Sequence, residues 1–100
     1  MNVGNRRSGT VAGALAVLLV AAEGYLFLAR GLLQEGAPIP DVQALVEKGL
    51  SLARAPDLKA LGWLLLADVF DRKGQPEQMN EALRKADRYM SARSGSGRRP

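Results

Sequence analysis

Asp68 and Asp71 stand three residues apart, a spacing that puts two carboxylates on one face of a helix, and paired carboxylates can serve metal binding or acid–base chemistry. No third ligand joins them. The 100 residues contain neither cysteine nor histidine, which removes disulfides, Cys/His zinc sites, thiol nucleophiles and Ser-His relays together. Gly31, Gly36 and the Ser94-Gly95-Ser96-Gly97 stretch lack the strand–loop–helix context of a phosphate loop. Glu81, Arg84, Lys85 and Arg88 follow the three- and four-residue spacing of an ordinary solvated helix face. The chain is therefore expected not to be an enzyme, with no catalytic residue, cofactor site or metal site.

Charge narrows the partners. Fourteen Lys and Arg oppose ten Asp and Glu, a net charge of +4, but the excess sits at the ends. Residues 31–87 carry seven basic and nine acidic side chains, whereas residues 88–100 carry four arginines and no acid. A fold whose centre is slightly acidic is a poor nucleic-acid binder, and no nucleic-acid partner is expected.

The elements that would hold any binding residues begin with apolar length. Thr10 to Ala29 form 20 residues with one charge, Glu23, and at 1.5 Å per residue they match the roughly 30 Å of a hydrocarbon core. With Arg6 and Arg7 before it and Arg30 after it, the run predicts a transmembrane signal anchor over residues 10–30, following a short tail at 1–9. Cleavage after Ala22 is the competing reading; it would leave the greasy stretch Tyr25–Ala29 at the new terminus. The small charge bias puts residues 31–100 outside the cytoplasm, in the periplasm for a bacterial inner-membrane protein. Gly9 and Gly13, with Glu23 on the same stripe, form a candidate contact surface for another membrane helix. An ionised Glu23 inside the hydrocarbon costs about 2.5–3.5 kcal/mol and calls for a partner.

Beyond the anchor the pattern is helical. Gly36-Ala37-Pro38-Ile39-Pro40 closes a linker over residues 31–40, because proline constrains its predecessor and lacks a donor. Asp41 is placed to cap a helix to about Arg54, with Val42, Leu45, Val46, Gly49 and Leu50 as its apolar stripe. Asp57 caps a second, from Leu58 to Lys73, which Gly74 stops. A third runs from Glu77 to about Ala92 after Pro76, and residues 93–100 read as a disordered basic tail. The short turn at Gly74 makes the last two helices antiparallel.

Trp63, Leu66, Ala67, Phe70 and Gly74, followed by Leu83 and Ala86, make the register W-x-x-L-A-x-x-F-x-x-x-G then L-x-x-A. In this the segment resembles the tetratricopeptide repeat, a helix–turn–helix unit of 34 residues. Met79 stands where that family usually has alanine, and its closing proline is absent. The resemblance covers residues 41–90, one and a half repeats, and makes residues 41–92 a short helical domain of an all-α chain. It implies that Trp63, Leu66, Ala67, Phe70, Gly74, Leu83 and Ala86 form the repeat core. It also implies that Leu61, Leu64, Asp68, Asp71 and Arg72 line the face that binds a protein partner.

The combined expectation is a membrane-anchored, non-catalytic adaptor or assembly factor that binds a protein partner. The alternative is a small accessory subunit of a larger membrane complex, held by its membrane helix. Since about three repeats are usually needed to bury a repeat core, self-association is a further expectation.

Overall fold

The computed structural model describes residues 20–98, which form four α-helices with no strand among them. Helix α1 covers residues 20–35, α2 Ile39–Leu52, α3 Pro56–Arg72 and α4 Pro76–Arg98. They pair as two hairpins, α1–α2 and α3–α4, and α3 packs against both α2 and α4. Leu26, Val42, Val46 and Val69 are the largest fully buried side chains, and with Ala82 of α4 in the same cluster all four helices meet in one core.

Both hairpins turn by the same device. Gly36 and Gly74 hold left-handed backbone, with φ of 81° and 72°, a conformation that glycine alone adopts without a Cβ clash. The next amide then folds back over the helix end: Ala37 N–H reaches the Leu32 carbonyl, and Gln75 N–H the Phe70 carbonyl, both at 2.9 Å. Prolines start the following helices with a pre-set φ. They also move the starts from where capping by Asp41 and Asp57 would put them. Pro38 and Ala55 take the N-cap positions, and both aspartates fall inside the first turn, where they still meet the positive end of the helix dipole.

The two turns mark an internal repeat. Gly24, Tyr25, Leu26, Leu28, Ala29, Leu32 and Gly36 recur 38 residues later as Gly62, Trp63, Leu64, Leu66, Ala67, Phe70 and Gly74. The connection before α2 is one residue longer than that before α4, so the second helices correspond at 37 residues, Val42 with Met79 and Gly49 with Ala86. The described residues thus contain two hairpins, where the resemblance over residues 41–90 implies one and a half.

This corrects the membrane reading. Ala22, Leu26 and Ala29 are fully buried and Leu33 nearly so, a three- and four-residue stripe that packs into the domain. Leu26 lies against Gly49 of α2, where a Cβ on Gly49 would come within 2.7 Å of the leucine side chain. The second half of the supposed anchor is therefore the first helix of the domain, and residues 31–35 are its last turn. Among the described residues no helix is long and apolar enough to cross a membrane. A single transmembrane helix over 10–30 fails on that finding, and so does the single-pass, periplasm-facing location built on it. The error is physical: summed hydropathy cannot separate a helix that is apolar all round from one whose two apolar stripes face two neighbours. Residues 1–19, with Gly9 and Gly13, lie outside the described residues.

Candidate functional site

The five residues expected to bind a partner share one face of α3, and the structure divides them. Leu64 and Asp71 are exposed, while Leu61 is half-buried against the core. Asp68 accepts a hydrogen bond from Arg72 Nε at 3.0 Å, and Arg72 Nη1 donates to the Leu33 carbonyl at 3.2 Å, where α1 ends. Arg72 thus ties the second hairpin to the first, as a second donor to a carbonyl that also accepts the Gly36 N–H. Of the expected repeat core, Leu66, Ala67 and Ala86 are buried and Trp63 and Phe70 partly so, whereas Leu83 is 41% exposed. Its counterpart Val46 is fully buried, and among the described residues no further hairpin covers Leu83. Glu23 is exposed on α1.

A groove of about 510 Å³ runs along α3 where α2 and α4 diverge. Glu47, Leu50 and Ser51 of α2 form one wall, Lys59, Trp63, Leu66 and Phe70 of α3 the floor, and Tyr89 of α4 the other wall. Its lining is mostly apolar, with an anion and a cation at the rim. The aromatic rings are held by lysines across the hairpin: Lys59 Nζ lies 5.4 Å from the Tyr89 ring centre, and Lys85 Nζ 4.5 Å from that of Trp63. Leu50, on the α2 wall, fills with its side chain the notch left by Gly62. The arrangement can take apolar side chains of a peptide and hydrogen-bond its flanks.

Leu50 and Tyr89 are missed as groove residues by the sequence reading, because each lies on a different helix from Trp63, Leu66 and Phe70 and only the fold brings them together. The 38-residue echo of the motif in α1, which fixes where α2 must pack, is the signal that finds the Leu50 wall. Polar chemistry elsewhere is sparse. The ion pairs Arg72–Asp68 and Arg84–Glu81 stand on exposed faces, and among the described residues no group of three His, Cys, Asp or Glu could hold a metal ion. Hydrogen bonding from the Arg84 guanidinium holds the Glu81 carboxyl below its ordinary range.

No protein-family model matches the chain, and no curated protein or solved structure matches it.

Proposed function

We propose that this chain is a non-catalytic module of two tetratricopeptide-like hairpins that acts as an adaptor or assembly factor by holding a segment of a partner protein. The observation that carries the reading is the lateral groove, whose aromatic and aliphatic floor lies open between two helices with Glu47 and Lys59 at its rim. Two further features support it. The motif of Trp63, Leu66, Ala67, Phe70 and Gly74 has a second copy in Tyr25, Leu28, Ala29, Leu32 and Gly36, as a repeat architecture requires. Aromatic residues beside a polar rim are also the composition in which peptide recognition concentrates its energy.

A photo-reactive benzophenone residue at Ser51, inside the groove, tests this in cells of the native host. Crosslinking from Ser51 to one or a few defined proteins is expected, with no such product from the exposed control position Gln78. Adding Tyr89→Ala should reduce the yield by about fivefold, the weight of one aromatic contact. Identical products from both positions would overturn the reading.

A further inference from the structure

The face of α1 that points away from the domain is built like a face that is buried elsewhere in the molecule. Gly24, Phe27, Leu28 and Gly31 correspond, 38 residues on, to Gly62, Leu65, Leu66 and Val69. The four in α3 are buried, Leu65 at 6% and Leu66 at 4% exposure, and Gly62 receives the Leu50 side chain of the preceding helix. Phe27 and Leu28 are instead 51% and 53% exposed, Val20 extends the same stripe at 66%, and among the described residues nothing lies within 4 Å of where a Cβ on Gly24 or Gly31 would stand. A stripe of large apolar side chains beside two open notches is a helix-packing surface without its neighbour.

We infer that this face pairs with the same face of a second copy, the two α1 helices running antiparallel about a two-fold axis. Charge selects the arrangement. Glu23 and Arg30 are seven residues apart, so they lie along the same edge of the stripe on either side of Phe27. Antiparallel pairing sets each Glu23 opposite the other copy's Arg30, twice by symmetry, whereas parallel pairing would align like charges. Head-to-tail stacking is disfavoured by the opposite end of the molecule. There Asp87 holds the place that Leu50 holds on α2, and would be driven into the Gly24 notch as an unpaired carboxylate. Asp71 likewise replaces the buried Leu33. Of the two pairings, two-fold and head-to-tail, the two-fold one covers the α1 face without driving an unpaired acid into a notch, and it closes on itself as a dimer.

Sedimentation velocity of the full chain over a concentration series tests this, with circular dichroism to confirm helical content. The wild type should show a monomer–dimer equilibrium, and Phe27→Glu, at an exposed position, should give a folded monomer. Glu23→Arg and Arg30→Glu should each weaken the dimer by about tenfold, since each sets like charges at both symmetric contacts, and the double exchange E23R/R30E should restore it. A wild type that stays monomeric up to about 1 mM, the weak limit of measurable association, would overturn the inference. So would a dimer indifferent to Phe27→Glu, one that the double exchange fails to rescue, or assembly that grows into open chains.

Discussion

The outer face of α1 and the inner face of α3 hold corresponding repeat positions, with Gly24 and Leu28 recurring as Gly62 and Leu66, yet one is exposed and the other lies in the core. What separates them is the neighbour. Behind α3 stands α2, whose Leu50 fills the Gly62 notch; among the described residues nothing comparable stands behind α1. In a repeat the local sequence sets which stripe can be buried, and stacking decides whether it is. The opposite end of the molecule makes the point in reverse. Where a third hairpin would pack, Asp71 and Asp87 replace Leu33 and Leu50, and Leu64, Leu83 and Met90 are left about 40% exposed. The carboxylates give that end the more polar surface of a terminal repeat.

The largest effect that can break this comparison is at the leucine pair Leu26 and Leu64, which hold the same repeat position. Leu26 is fully buried against α2 and Leu64 is 40% exposed. Leu26→Ala should cost about 2–5 kcal/mol of unfolding free energy, as buried leucines do. Leu64→Ala should cost about 0.5 kcal/mol or less, as an exposed site does. Urea unfolding followed by circular dichroism reads both. Equal losses would mean that α3 has a neighbour on its Leu64 side and that the array does not end there.

The next effect differs in sign within one pair. Alanine at Gly62 would set a Cβ within 2.5 Å of the Leu50 side chain, including its branching carbon, so the leucine must move bodily. Overpacking of that kind outweighs the gain in helix propensity, and Gly62→Ala should destabilise by about 1–2 kcal/mol. Gly24→Ala meets open space and should stabilise the monomer by about 0.5–1 kcal/mol, since alanine replaces glycine in a helix. Thermal unfolding at low concentration, where the monomer dominates, measures the two signs. Stabilisation by both would show that the Leu50 contact is soft, and destabilisation by both that the α1 notch is already filled.

The legible part of this fold is the part with punctuation. Pro38, Pro40, Pro56, Gly74 and Pro76 bound α2, α3 and the start of α4 in the sequence, and the apolar stripes of α2 and α3 could be read between them. Helix α1 has no such boundary on its amino-terminal side, where Thr10–Val20 continues the apolar run without a break. Two apolar stripes on α1, one facing α2 and one facing outward, add up to the hydropathy of a membrane helix, and the comparison that separates them is with α3. Trp63, Leu66 and Phe70 of the groove share one helix face and read from the sequence as repeat core, whereas the face expected to bind a partner, Leu61, Leu64, Asp68, Asp71 and Arg72, does not line the groove. Leu50 and Tyr89 reach the groove from helices before and after α3, and no spacing within either helix points to it.

The smallest effect belongs to the outer face of α4, where Glu81 accepts a hydrogen bond from Arg84 Nη2 at 2.7 Å. Arg84 lowers the Glu81 carboxyl from its ordinary 4.5, by hydrogen bonding first and by charge second. A carboxyl depressed in the folded chain stabilises it only while ionised. That contribution is present above the unfolded value and is lost as pH falls through the lower folded one. Glu81→Gln should therefore narrow the stability difference between pH 7 and pH 3, chiefly below about pH 4.5, and leave the two proteins alike at the acid end. Because both side chains stand in solvent, the change should fall at the edge of detection and shrink further in 0.5 M salt, which screens exposed pairs. A large, salt-resistant loss would mean that this pair is covered in solution, and the exposed end of the array would then have to be sought elsewhere than on α4.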